Sequence, residues 1–171
     1  MSERDSNERN EREASPEIQR VLVALDASPS SYAALEAAVE MAARFEAELL
    51  GIFVEDINVL RLANLPFVRE FGVYSARQRR LDAGKLERQL RSRSRRLRRL
   101  LRALAARASV PASFRVARGA VSSEIESAAE EADVLVIGRY GWSWIARRRL
   151  GSTARAVYYH RAPGMTLLMR E

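Results

Sequence analysis

Short runs of apolar residues alternate along this chain with longer stretches in which apolar residues recur every three or four positions. A run of four or five apolar residues, many of them β-branched, is typical of a strand that is buried on both faces. The first run spans 21–25 and ends before Asp26. It is followed by a predicted helix from about Ser31 to Phe45, with Phe45 on its inner face and residues 28–30 as its N-terminal cap.

The same alternation continues along the rest of the chain. It predicts further strands at 49–54, 113–117, 134–138 and 165–169, and further helices at 81–108, 122–132 and 152–161. Ser122 and Ser123 are expected to cap the helix at 122–132. Five strands that alternate with four helices are typical of an α/β domain with a parallel, doubly wound sheet and right-handed crossovers.

Two segments do not fit the alternation. Residues 1–17 contain almost no apolar side chains, so burial cannot offset the entropy cost of ordering them, and we expect a disordered, charged tail. The globular domain is therefore predicted over 18–171. Within it, residues 57–80 are expected to form an irregular insertion, because Pro66 and Gly72 interrupt any long helix there.

Composition excludes several classes of site. The chain has no cysteine, which rules out disulfides, thiolate nucleophiles and cysteine-ligated zinc. Its one histidine, His160, leaves no histidine-rich metal site. Lys85 is the sole lysine, and the sequence contains neither a Gly-x4-Gly-Lys phosphate loop nor a Gly-x-Gly-x-x-Gly dinucleotide fingerprint. No apolar run approaches the ~20 residues of a membrane-spanning helix, and the N-terminal residues include no apolar leader. We therefore expect a cytoplasmic protein.

The segment between the fourth predicted strand and the last predicted helix is the most informative. Gly138 and Gly141 follow the strand, and Gly151, Ser152 and Thr153 open the helix, with Ser152 or Thr153 at its N-cap. A glycine-bearing loop that leads into a helix N-terminus presents bare backbone N–H groups, which can hold an anion. In doubly wound sheets, ligands bind beyond the carboxyl ends of the strands, at the point where the strand order reverses.

The spacing Gly-x2-Gly-x9-Gly-Ser, which starts at Gly138, matches the nucleotide-binding signature of the universal stress protein family. From Arg20 to Met169 the chain resembles a single-domain member of that family, apart from a longer connection at 57–80. The resemblance implies a Rossmann-like fold with five parallel strands in the order 3-2-1-4-5. It also implies that the protein binds ATP or AMP, with Mg²⁺ if a triphosphate is held, and acts as a regulator in the stress response.

The resemblance also assigns roles to individual residues. Asp26 would contact the ribose or a phosphate-bound metal ion, and Val54 would read the edge of the adenine through its backbone. Ala24 would line the adenine slot, and Ile137 would pack against the nucleoside. The phosphates would be held by the backbone and hydroxyl donors of Gly138, Gly141, Gly151, Ser152 and Thr153.

Several of these residues also have a purely structural interpretation. Asp26 could do no more than accept a backbone hydrogen bond in an Asx turn. Gly138 and Gly141 could be turn residues that are needed for positive φ. The third glycine at the family spacing, Gly151, favours phosphate binding over that interpretation.

The sequence predicts no catalytic residue, and no metal site that is formed by protein side chains without a bound nucleotide. Residues 138–153 contain neither histidine nor glutamate, so this loop supplies no general base for hydrolysis. We expect a nucleotide-binding regulator rather than an enzyme, although slow ATP hydrolysis stays open. The resemblance further implies a homodimer that pairs through the strand at 165–169, and a regulatory partner that the sequence does not identify.

The charge distribution supplies an alternative from a different class of function. Basic side chains outnumber acidic ones by 29 to 22, and the predicted helix at 84–107 is rich in arginine, with a strongly cationic outer face. The alternative to a nucleotide-binding regulator is therefore an interaction scaffold that binds nucleic acid or an anionic membrane through this helix. No aromatic residue interleaves the arginines, which disfavours that alternative.

Overall fold

The computed structural model describes residues 18–65, 69–71, 78–80, 82–138, 152–159 and 165–169. The strands in these residues are β1 (Arg20–Ala24), β2 (Glu48–Asp56), β3 (Arg69–Phe71), β4 (Gln78–Arg80), β5 (Ala112–Gly119), β6 (Val134–Gly138) and β7 (Met165–Met169). The helices are α1 (Pro29–Arg44), α2 (Ile57–Ala63), α3 (Ala83–Arg107), α4 (Val121–Ala129) and α5 (Ser152–Tyr159).

Five of the strands form one parallel sheet in the order β5-β2-β1-β6-β7. Counted without the short strands β3 and β4, this is the predicted order 3-2-1-4-5, and the doubly wound α/β class is confirmed. β1 lies at the centre, where Ala24 is in register with Ile52 of β2 on one side and with Ile137 of β6 on the other. The carboxyl ends of these three strands consequently lie along one edge of the sheet, which we call the carboxyl edge.

Alternate residues of the central strands pack into two apolar clusters, one on each face of the sheet. On the first face, α1 and α3 cover the sheet with fully buried side chains that include Leu35, Leu97 and Leu101. On the second face, α4 and α5 contribute Ile125 and Ala154. Because both faces are covered, the central strands β1 and β6 consist of nearly continuous apolar runs rather than alternating apolar and polar residues.

Short polar side chains begin the two long helices. Ser28 is the N-cap of α1, and its Oγ accepts a hydrogen bond from the Ser31 N–H at 3.3 Å. Asp82 is the N-cap of α3, and its Oδ1 accepts from the N–H groups of Gly84 at 2.9 Å and Lys85 at 3.2 Å. The predicted cap of α1 is confirmed, whereas α3 begins two residues later than predicted because Asp82 satisfies its first N–H groups.

Both long helices end in a residue other than glycine that adopts a left-handed conformation. Glu46 follows α1 with φ of 54°, and Ser109 follows α3 with φ of 56°. In each case the next residue, Ala47 or Val110, donates its N–H to a carbonyl in the last turn of the helix at 2.9 Å. These bonds define a Schellman motif, in which glycine is the usual left-handed residue.

The segment that was predicted to be an irregular insertion, 57–80, contains regular structure. α2 occupies its first seven residues, and Asp56 caps this helix by accepting from the Asn58 N–H at 2.9 Å. β3 and β4 pair with each other in antiparallel orientation. α2 was not predicted because it is only about two turns long, too short for a helical period of apolar residues to be recognised.

Two local expectations are wrong. Phe45 does not lie on the inner face of α1, since it is the C-cap of that helix and is 45% exposed. The N-cap of α4 is Ala120, which makes no side-chain hydrogen bond, and Ser122 and Ser123 lie within the first turn of the helix. Both errors arise at helix ends, where a sequence pattern locates the boundary least well.

Residues 1–17, predicted to be a disordered tail, lie outside the described part of the chain. Among the helices that the structure describes, none combines the length and the apolar character that a membrane span requires.

Candidate functional site

The candidate site lies where β1 and β6 end side by side. After β1 the chain continues into α1 on the first face, where Leu35 is buried. The helix that follows β6, α5, lies on the second face, where Ala154 is buried. Adjacent parallel strands whose following helices lie on opposite faces leave a crevice at their carboxyl ends, which is the usual ligand site of a doubly wound sheet. The register of Ala24 with Ile137 places Asp26 and Gly138 at this crevice.

Asp26 organises the loop between β1 and α1. Its Oδ1 accepts a hydrogen bond from the Ser28 N–H at 2.8 Å, which makes an Asx turn. Ala27, between these two residues, has φ of 63°, a conformation that residues other than glycine seldom adopt. The Asx turn that the sequence allows for Asp26 is therefore present in the structure. Since Asp26 is only half-buried, contact with a ligand is compatible with that role.

Gly138 is required by packing. A Cβ atom added at this position would lie 2.7 Å from Ser30 Oγ and 2.9 Å from the Ser30 carbonyl carbon. The φ of Gly138 is not in the left-handed region, so the interpretation that positive φ requires this glycine is wrong. The missing side chain instead allows the first turn of α1 to approach the end of β6.

The predicted adenine contacts lie on the second face of the sheet, near the carboxyl edge. Ala24 and Ile137 are 7% and 5% exposed, so their side chains offer little surface to a ligand. Val54 is half-buried and in register with Ala117 of β5, which packs with Val121 against the same cluster. Val54, Ala117 and Val121, all partly buried, thus form the accessible apolar wall of the site. The last two were not predicted, because only the pairing of β2 with β5 brings them beside Val54.

Two of the predicted phosphate-binding residues, Gly141 and Gly151, lie outside the residues that the structure describes. α5 begins at Ser152, so the prediction of Ser152 or Thr153 as its N-cap is wrong, and both residues lie within the first turn of the helix. Thr153 is half-buried. Because β6 and β7 are parallel, the helix between them starts at the carboxyl edge of the sheet. The N-terminus of α5 therefore lies on the same edge as Asp26 and Gly138.

An ion pair that was not predicted lies farther along this edge. Glu55, near the end of β2, accepts from Arg118 Nε at 3.0 Å and from Arg118 Nη2 at 2.8 Å. The Glu55 side chain is only 10% exposed. The hydrogen bond with Glu55 raises the pKa of Arg118 above its ordinary value. The sequence showed a carboxylate after an apolar run and an arginine at a strand end, but their contact depends on the register of β2 with β5.

Metal ligands are sparse around the crevice. Throughout the part of the chain that the structure describes, no three His, Cys, Asp or Glu side chains are grouped closely enough to hold a metal ion. Divalent cations such as Mg²⁺ need several oxygen ligands, which substrate phosphates and water can supply alongside one or two carboxylates.

The identity of the domain follows from comparison with known protein families. The model of the universal stress protein family matches residues 17–168. The chain belongs to the universal stress protein family. The match includes all five strands of the parallel sheet, apart from the last residue of β7, and the helices on both faces, and it confirms the resemblance drawn from the sequence.

Solved structures of universal stress proteins share this fold. UspA from Lactobacillus plantarum is 22% identical, with a TM-score of 0.63 over 91% of this chain and 100% of that one. A family member from Burkholderia pseudomallei is 25% identical, with a TM-score of 0.61 over 90% of this chain and 98% of that one. A protein from Archaeoglobus fulgidus in complex with dAMP is 16% identical, with a TM-score of 0.55 and coverage of 90% and 98%. The comparison with curated protein sequences gave no match.

Proposed function

We propose that this universal stress protein binds an adenine nucleotide in the crevice between β1 and β6, and acts as a regulator of the stress response in the cytoplasm. The observation that most directly supports the proposal is the meeting of three features at one edge of the sheet: half-buried Asp26, the side-chain-free end of β6 at Gly138, and the N-terminus of α5. Two similar universal stress proteins are described as complexes with cAMP and with dAMP, which are adenine nucleotides.

The residues at the crevice fit such a nucleotide. The partly exposed apolar wall of Val54, Ala117 and Val121 suits the flat face of an adenine, and the backbone of Val54 would read its edge. Asp26, in the loop that follows the neighbouring strand β1, would accept hydrogen bonds from ribose hydroxyls.

The phosphates would extend toward the N-terminus of α5. We assign them to Gly138, Gly141, Gly151, Ser152 and Thr153. Each charge-assisted hydrogen bond contributes about 1.5–3 kcal/mol, and four or five of them with a buried base are compatible with micromolar binding, about −8 kcal/mol. If ATP is the ligand, Mg²⁺ would be held by phosphate oxygens and water, with Asp26 as its protein ligand.

We further propose that bound ATP is hydrolysed slowly or not at all. Rapid hydrolysis requires a group that orients or deprotonates water, and residues 138–153 contain neither histidine nor glutamate. Interactions that stabilise the bound phosphates equally in the ground and transition states do not raise the rate. A Mg²⁺-dependent turnover above about one per second that is lost in Asp26→Ala would contradict this proposal and identify an enzyme.

Mass analysis of nucleotide released from the denatured, freshly purified protein tests the binding proposal and separates ATP from AMP. Calorimetric titration with both nucleotides then compares the protein with two variants. Gly151→Glu places a carboxylate where the phosphates are expected and should abolish binding. Ser127→Glu adds the same charge at an exposed position in α4 and should bind normally. Unchanged ATP affinity in a folded Gly151→Glu protein would exclude the assigned loop.

A further inference from the structure

The excess positive charge of this protein is concentrated in one helix. α3 carries nine arginines and Lys85 against a single acidic residue, Glu87, a net charge of +9. The remaining 146 residues carry 19 basic and 21 acidic side chains, a net charge of −2. Like charges on one helix repel each other, so this concentration opposes folding, and a bound anionic partner would relieve the repulsion.

Six of the arginines form a continuous surface, which we call the arginine stripe. Its members, all exposed, are Arg88, Arg91, Arg95, Arg98, Arg99 and Arg102. They recur at intervals of three and four residues and therefore lie within a sector of about 100° on the helix, over a length of about 21 Å. A shallow depression runs along the same side, with Ser92 beside the arginines.

The contacts of α3 set the direction of the stripe. Leu97, Leu101 and Ala105 are fully buried against the sheet, so the apolar side of the helix is occupied by the core. Arg98 lies over the ring of Phe114, with 5.4 Å between its Cζ and the ring centroid, which places the stripe beside the edge strand β5. The acidic residue of the helix, Glu87, pairs with Arg91 at 2.8 Å.

We propose that the arginine stripe is a docking surface for the phosphate backbone of double-stranded nucleic acid, bound without sequence preference. Guanidinium groups match phosphate oxygens in bidentate geometry, and the helix uses nine arginines and one lysine. A membrane is a poorer partner, because an amphipathic helix binds lipid through an exposed apolar side and that of α3 is buried. Single strands are poorer partners as well, since no aromatic residue of α3 is available for base stacking.

Duplex DNA carries about one negative charge per 1.7 Å of axis, so 21 Å of duplex presents more phosphates than the stripe has arginines. Neutralising one phosphate per arginine would give a slope of about −5 for the logarithm of affinity against the logarithm of salt concentration. Affinity should then fall about 1,000-fold between about 50 and 200 mM NaCl.

Fluorescence anisotropy of the full-length protein with labelled duplexes of about 20 base pairs, in two unrelated sequences, tests the proposal. The stripe variant Arg95→Gln/Arg99→Gln should bind about 50-fold more weakly at about 0.1 M salt, with a salt slope reduced by about 2. The control variant Arg61→Gln/Arg107→Gln removes the same charge from exposed arginines outside the stripe and should bind almost normally. Circular dichroism of all three proteins verifies folding.

Equal affinity for the two duplex sequences, together with a selective loss in the stripe variant, would support the proposal. Equal losses in both variants would show that net charge alone attracts the duplex, and would overturn it. So would retention of affinity in the stripe variant. Vesicles of phosphatidylserine and phosphatidylcholine, and poly-glutamate, serve as alternative anions. Binding to either of them that matches or exceeds binding to the duplex would also overturn the proposal.

Discussion

The end of β6 lies against the first turn of α1 at Gly138 and Ser30, so closely that a Cβ atom on Gly138 would lie 2.7 Å from Ser30 Oγ and 3.0 Å from the Ser30 carbonyl oxygen. Ser30 has no room to move, since it is 2% exposed and its backbone belongs to α1. The contact fixes the N-terminus of α1 beside the crevice. The first glycine of the family spacing is thus required by the scaffold, whether or not a phosphate also uses it.

We predict that Gly138→Ala lowers the free energy of unfolding by about 1–3 kcal/mol, the usual cost of overpacking. Urea denaturation, read from the midpoint at constant slope, measures the change. Gly119→Ala is the matched control, because Gly119 also ends a strand at the carboxyl edge, but the three atoms nearest to its added Cβ all belong to the side chain of Glu124. That side chain can rotate away, so the loss should be smaller. Equal losses in the two variants would contradict the packing argument.

A second prediction separates the structural role of Asp26 from its proposed ligand role. Asp26→Ala removes the acceptor of the Ser28 N–H and should cost about 1 kcal/mol of stability. Asp26→Asn keeps an oxygen at the acceptor position, so stability should be nearly unchanged, while calorimetry should show weaker binding of MgATP. Asp56→Asn is the control, since Asp56 makes the equivalent bond to the Asn58 N–H at 2.9 Å. If Asp26→Asn binds MgATP with full affinity, the negative charge of Asp26 does not contribute to binding.

The fold was predictable because both faces of the sheet are covered. Burial on two sides produces uninterrupted apolar runs such as 134–138, which differ clearly from the helical spacing of 31–45, so the elements and their order could be recognised. The strand order could not be obtained from periodicity and came from the family resemblance. α2 was not predicted, because a helix of two turns is too short to show a helical period of apolar residues.

The candidate site was less predictable, because its chemistry depends on register. Asp26 and Gly138 could be identified as strand-end residues, but the contact of Gly138 with Ser30 requires the packing of α1 on β6. The pairing of Glu55 with Arg118 joins residues 63 positions apart and follows only from the register of β2 with β5. A sequence pattern indicates whether a single position is buried, whereas these contacts depend on how two elements pack or pair with each other.

A third prediction concerns the left-handed residue at the end of α3. Ser109, with φ of 56°, carries a side chain where a Schellman motif favours glycine. Relief of this strain exceeds the additional entropy cost of glycine, so Ser109→Gly should raise the free energy of unfolding by about 0.5–1 kcal/mol. Ala108→Gly is the control, because Ala108 has φ of −93° and gains nothing from glycine. A stability equal to or below that of the unmodified protein in Ser109→Gly would refute the prediction.

A fourth prediction concerns acid. Arg115 Nη1 and Nη2 donate to the two carboxylate oxygens of Glu131 at 3.1 and 3.0 Å, and these hydrogen bonds lower the pKa of Glu131 below its ordinary value of 4.5. The unfolded chain therefore binds the proton first as pH falls. The stability that this pair contributes is present above about pH 4.5 and is lost as pH decreases through the lowered pKa of the folded protein.

Urea midpoints measured at pH 6 and at about pH 3.5 should therefore differ less in Glu131→Gln than in the unmodified protein. The effect is small, since both side chains are nearly half exposed, and it should shrink further at about 1 M salt. Glu130→Gln, which changes an exposed neighbour, should keep the full pH dependence. Parallel pH profiles for Glu131→Gln and the unmodified protein would count against a contribution from this pair.

The last prediction is that the protein is a homodimer whose two copies pair along β7. β7 ends the order of the sheet, and within the described residues no strand pairs with it on the side opposite β6. An open strand edge favours association, and pairing of two copies across a two-fold axis gives an isologous contact. Light scattering at concentrations of tens of micromolar should give twice the mass of 19.3 kDa, whereas a monomeric mass would exclude the dimer.

Disulfide cross-linking can then show which edge of the sheet is used, because the chain has no native cysteine and any cross-link must come from an introduced one. Single substitutions Thr166→Cys, Leu167→Cys and Leu168→Cys move a thiol along β7. In an antiparallel two-fold pairing, the residue nearest the axis faces its own copy at a Cα separation of about 4.5–5.5 Å, within the range of a disulfide. We expect the axis to pass through the middle of β7, at one of these positions, which should then oxidise to a covalent dimer much faster than the others. Val116→Cys, on the opposite edge in β5 and 39% exposed, reports random collision. Faster cross-linking at position 116 than at any position in β7 would place the dimer contact at β5 and refute its assignment to β7.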